Sequence, residues 1–100
     1  MRISVQSIQF HADDRLLTLV ENKASKLSQF FDRIIDVQIY LKIDGRSSQI
    51  KDKEVEVKLN LPGSQLFAKA EGKLFEEALD EAIDSATRQL KKHKERLRNA

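Results

Sequence analysis

Eleven residues near the C-terminus, Arg88 to Arg98, hold six cations (Arg88, Lys91, Lys92, Lys94, Arg96 and Arg98) against one carboxylate, Glu95. Their spacing is helical, so residues three and four apart share a ridge. Rows of Lys and Arg at that spacing suit contact with a phosphate backbone, where each cation displaces condensed counterions. A second group, Arg15, Lys23 and Lys26, falls together on one flank of an earlier amphipathic segment. The plainer explanation is that cations on the back of a helix keep it soluble, and that those near its end complement the macrodipole. Composition alone favours the plainer explanation.

Other chemistries find less support. His11 and His93 are far apart and lack paired acids at ligand spacing, so no metal is expected. His93 falls toward the apolar side of its helix, which makes packing its ordinary role. The chain has no cysteine, which excludes disulfides and thiolate metal sites. No Gly-x-Ser-x-Gly elbow occurs, and nothing places a serine beside a histidine. Gly45, Gly63 and Gly72 are isolated and fit turns or strand ends, not a phosphate loop. Acid pairs such as Glu76 and Asp80 read as a solvated helix face. The expectation is a binding protein with no catalytic residues, cofactor or small-molecule substrate.

The elements that must position these residues follow from periodicity. Residues 2–10 read as a strand whose alternation slips between Val5 and Ile8, at a bulge or at the strand's end. Asp13 or Asp14 caps a helix over 13–31, with Leu16, Val20, Ala24, Leu27 and Phe31 on its stripe. Strict alternation marks strands at 35–43 and 54–61, and a further strand covers 65–71. Asp44 to Ser48 is turn chemistry, and Pro62-Gly63 signals a tight hairpin. The last helix covers 74–98, acidic in its first half and basic in its second. Its apolar stripe is Phe75, Leu79, Ala82, Ile83, Ala86, Leu90 and Leu97.

At 100 residues the chain is expected to form one domain, 1–100. The order β-α-β-β-β-α makes a right-handed parallel unit first and two antiparallel connections after it. The fold class is α+β: a two-layer sandwich of a four-stranded mixed sheet with two helices packed on one face. Both basic groups then lie on elements covering the same sheet face. The net charge of +2 does not announce a nucleic-acid binder, but its uneven distribution provides a cationic region. Tyr40 and Phe67, on the outer sheet face, are too few for a base-stacking platform, so phosphate and shape recognition of folded RNA is the better version. No apolar run is long enough to span a membrane, and MRISVQSIQF lacks the features of a signal peptide, so a cytoplasmic location without membrane partners is expected.

Several segments together resemble the ribosome hibernation-promoting factor family, also called ribosome-associated inhibitor A or sigma-54 modulation proteins. They are Asn22-Lys23-Ala24-Ser25-Lys26-Leu27, Phe31-Asp32-Arg33-Ile34, Leu61-Pro62-Gly63, Ala68-Lys69-Ala70-Glu71 and Arg88-Gln89-Leu90-Lys91-Lys92-His93-Lys94. The resemblance covers the whole chain. It implies a layout similar to a double-stranded RNA-binding domain. It also implies binding to the bacterial small ribosomal subunit through 16S rRNA in the mRNA/tRNA channel, which silences translation and protects idle ribosomes in stationary phase. Carried onto matching positions, the RNA contacts are Lys23, Lys26, Arg88, Lys91, Lys92, His93 and Lys94, with Arg33 and Arg46 as secondary candidates. The resemblance makes His93 a contact, where the helical wheel makes it partly packed.

Lys73-Leu74-Phe75 departs from the acid-Met-Tyr common in the family, although Phe75 keeps the aromatic. Ending at Ala100, the chain resembles a short form without the C-terminal dimerisation domain of long members. The resemblance leaves open both the promotion of ribosome dimers with a helper protein and the blocking of single ribosomes. The alternatives are a general double-stranded RNA-binding module and a protein-interaction domain that uses the polar sheet face or an edge strand.

Overall fold

The computed structural model describes residues 1–44 and 52–99. Its elements run β1 (Arg2–Ile8), α1 (Asp14–Ser25), a 3₁₀ turn (Lys26–Gln29), β2 (Asp36–Ile43), β3 (Lys53–Leu61), β4 (Ser64–Gly72) and α2 (Phe75–Arg98). The sheet order is β1-β2-β3-β4, with β1 parallel to β2 and the remaining pairs antiparallel. This is the α+β mixed sheet that the alternating segments predict. Period-two alternation puts Val37, Ile39 and Leu41 of β2 and Val55, Val57, Leu59 and Leu61 of β3 on one buried face. Val20, Ala24 and Leu27 cover that face from α1 and the 3₁₀ turn, and Ala78, Leu79, Ala82, Ala86 and Leu90 cover it from α2. Each fully buried Leu or Val contributes roughly 1.5–3 kcal/mol of hydrophobic stabilisation.

The outer sheet face is polar and nearly balanced in charge. Lys42 pairs with Glu56 at 3.0 Å, and Lys69 pairs with Glu54 at 2.6 Å. Two glycines allow the tight connections. Gly63, at φ 71°, follows Pro62 in the β3–β4 hairpin, where a side chain would be strained. A Cβ on Gly72 would lie 3.0 Å from Glu77 Cβ and 3.1 Å from the Ala78 nitrogen, so glycine lets β4 pass directly into α2. There Glu77 reaches back and accepts from the backbone N–H groups of Lys73 and Leu74, each at 3.2 Å.

One open choice is settled, and two details differ from the sequence reading. No bulge interrupts β1, whose pairing runs unbroken to Ile8 opposite Lys42. The strand ends there, and Gln9 turns the chain at φ 62°. Phe10 then returns to stack on Phe75, with ring centroids 5.3 Å apart.

The helix expected over 13–31 begins as foreseen, with Asp13 Oδ1 accepting from the Leu16 N–H at 2.9 Å. Its α geometry stops at Ser25. Ser25 and Ser28 donate their hydroxyls to the carbonyls of Asn22 and Ser25, at 2.8 and 3.0 Å. Such bonds compete with the i→i−4 ladder, and the chain tightens into the 3₁₀ turn. Finally, Leu97 leaves the expected stripe and is 46% exposed. With 24 residues, α2 is about 36 Å long, and Leu97 lies near its end in the exposed stretch from Lys94 to Asn99.

Candidate nucleic-acid interface

The topology gathers the two helix C-termini. α1 must return from the end of β1 to the start of β2, and α2 descends from the end of β4. Both helices therefore run the same way across the sheet. Phe10 on Phe75 marks the end where they start, and Phe31 against His93 marks the end where they finish. At that second end α2 projects as a heel, exposed from Lys91 to Asn99 except for half-buried His93. The heel's six cations and one carboxylate give +5; the whole chain is +2, so the remainder carries −3. Charge separation of this kind concentrates positive potential at one tip.

The cations form two ridges. Lys91, Lys94 and Arg98 face the 3₁₀ turn and, with Gln29, Phe30 and Glu95, line an open cleft of about 380 Å³. Lys92 and Arg96 lie on the neighbouring side with Asn99, and Glu95 stands between the two rows. Arg88, four residues before Lys92, continues that second ridge. Aromatic rings hold the base of the heel in place. The Lys91 ammonium lies 5.2 Å from the Phe30 centroid, and the Arg33 guanidinium lies 5.2 Å from that of Phe31. His93 meets Phe31 edge-on at 5.3 Å and 82°. Packing is thus part of the role of His93, although it keeps some exposure. Among the described residues, Lys26, Arg33 and the heel cations make no ion pair.

Lys23 differs. It is half-buried and forms a salt bridge with Asp80, in the acidic half of α2. Arg15 instead lies along the outer flank of α1 with Thr18, Leu19 and Asn22. The expected shared flank of Arg15, Lys23 and Lys26 is therefore split. Eight helical residues rotate Lys23 about 80° from Arg15, toward α2, where a carboxylate meets it. Arg46 lies outside the described residues.

The sequence reading missed Gln29 and Phe30. The available signal was the Phe30-Phe31 pair after the helix: the chain buries Phe31, at 4% exposure, and leaves Phe30 only partly covered. Among the described residues no group of three or more His, Cys, Asp or Glu side chains could hold a metal ion. No helix among them is long and apolar enough to cross a membrane.

Fold and heel define a class: a small α+β domain whose distinctive chemistry is a cationic helix end braced by aromatic rings. The chain belongs to the sigma 54 modulation protein / S30EA ribosomal protein family, whose profile matches residues 3–98. It is 37% identical to a ribosome hibernation promoting factor of Klebsiella oxytoca over 98 residues, which is 98% of each chain. It is 33% identical to the protein of the same name in Escherichia coli K12, again over 98% of each chain. A solved ribosomal subunit interface protein from Coxiella burnetii superposes with a TM-score of 0.82 at 26% identity, over 94% of this chain and 98% of that one. The N-terminal domain of Thermus thermophilus Protein Y shares the fold, with a TM-score of 0.79 at 23% identity over 93% of this chain and 99% of its own. The family resemblance carried by the sequence motifs therefore holds along the chain.

Proposed function

We propose that this protein is a ribosome hibernation factor, working in the cytoplasm as a single ribosome-binding domain. It binds the bacterial small ribosomal subunit through 16S rRNA in the mRNA/tRNA channel, and so silences or protects idle ribosomes. The observation that carries the proposal is the heel: cations without ion-pair partners among the described residues, gathered at one tip of a chain similar to relatives named for ribosome hibernation. Unpaired Lys and Arg need not give up an internal carboxylate to meet phosphate, so released counterions drive association. Lys26, Arg33, Arg88, Lys91, Lys92 and Lys94 are the proposed phosphate contacts. Lys23 stands at the margin because Asp80 already engages it. His93 fixes the heel against Phe31 and offers its open edge to the RNA. The mechanism is occupancy: a folded cationic wedge holds the channel, and no bond is made or broken.

The balanced outer sheet face supports placing the RNA at the heel instead, since Lys42 and Lys69 are paired there. The test is co-sedimentation with isolated small ribosomal subunits at low salt. The wild-type protein should travel with the subunits. The triple variant Lys91→Glu, Lys92→Glu, Lys94→Glu should stay at the top of the gradient with its circular dichroism unchanged. Wild-type protein that remains at the top at low salt would end the proposal.

A further inference from the structure

Phosphate attraction explains the cations but not the cleft between the 3₁₀ turn and α2. One wall is Gln29 and Phe30, and the other is the ridge Lys91, Lys94 and Arg98. About 380 Å³ lies between them, within the range of sites that hold small organic groups. The parts of the cleft match the parts of one nucleotide. A phenyl ring offers a stacking face, a side-chain amide can meet a base edge, and three cations stand where flanking phosphates would run.

Resting on the RNA reading above, we propose that this cleft takes a single unpaired nucleotide swung out of the RNA, its base stacked on Phe30. Lys94 and Arg98 hold the phosphates on either side. The Lys91 ammonium now occupies the space over the ring, 5.2 Å from its centroid. The ring face that attracts an ammonium also accepts a base. Lys91 has a flexible stem, so its ammonium exchanges the ring for a phosphate as the base enters. Glu95, also in the lining, accepts from an exocyclic amine. That favours adenine, cytosine or guanine over uracil, which has no such donor.

The test uses the full chain and two short RNA hairpins, one with a single bulged 2-aminopurine and one without the bulge. The bulged hairpin should bind roughly tenfold tighter, in line with one base–aromatic stack, and its emission should change on binding. Phe30→Leu should lose both the preference and the emission change, its affinity for the bulged hairpin falling to its own affinity for the unbulged one. Phe30→Tyr keeps the ring and should retain both. Equal wild-type affinity for the two hairpins overturns the proposal, as does a bulge preference that survives in Phe30→Leu. Should Phe30→Leu fail to fold, the wild-type comparison and Phe30→Tyr still decide. Failure of the wild-type protein to bind small subunits sinks the ribosome reading, whereas equal hairpin affinities with intact subunit binding sink only the nucleotide site.

Discussion

Lys23 and Lys91 are both helical lysines with basic neighbours in sequence, and the fold gives them opposite fates. Lys23 meets Asp80 across the helix pair, whereas Lys91 lies over a phenyl ring with no carboxylate partner among the described residues. No residue pattern separates them, because Asp80 is 57 residues from Lys23 and the contact depends on how α1 and α2 cross. Partly exposed pairs of this kind contribute little, so Lys23→Ala should lower stability by less than about 1 kcal/mol in urea unfolding. Asp80→Asn should leave the fold intact, free Lys23, and tighten small-subunit binding at low salt; weaker binding would remove Lys23 from the interface. On the outer sheet face, the hydrogen bond that the Lys69 ammonium donates to Glu54, and then the charge of that carboxylate, raise Lys69 above its ordinary pKa of 10.5. A group whose pKa is raised by folding stabilises while it is protonated. Its contribution is therefore complete below the ordinary value and is lost as pH rises through the raised one. Stability near neutral pH should be flat with respect to this pair, and Lys69→Gln should remove part of the loss seen in alkaline urea titrations.

At the scale of elements, the strands were legible because strict alternation with one apolar face has a single outcome once two helices are available to cover it. The parallel β1–β2 pair and the two antiparallel connections followed from order and turn chemistry. Element ends were less legible. Ser25 and Ser28 look like ordinary exposed helix residues in sequence, yet their hydroxyls end the α geometry six residues before the stripe at Phe31 suggests. That early stop places Gln29 and Phe30 against the heel, which is why periodicity alone could not find the cleft. The β3–β4 hairpin depends on a left-handed backbone at Gly63. Gly63→Ala should destabilise by about 1 kcal/mol, although open space surrounds the missing Cβ, because the conformation itself disfavours a side chain. Leu90, fully buried where α2 leaves the sheet, anchors the heel. Leu90→Ala should cost about 2–5 kcal/mol in urea unfolding and weaken RNA binding through the loosened helix end.

As a whole the molecule is charge-separated, with acids where its helices begin and a heel of net +5 where α2 ends. Sequence showed this segregation clearly. It did not show that the heel would stand exposed, with no ion pair to its cations among the described residues, since that depends on where the body's carboxylates fall in the fold. A cationic tip on an otherwise negative body favours one orientation toward a polyanion and makes its binding dependent on salt. The most direct test is the dependence of small-subunit affinity on salt, for the wild type and for the variant Lys91→Gln, Lys92→Gln, Lys94→Gln. Each phosphate that is no longer neutralised should reduce the slope of log K against log salt by roughly 0.7–0.9, so the variant's slope should be shallower by about 2–3. An unchanged slope would mean that the heel does not meet the RNA.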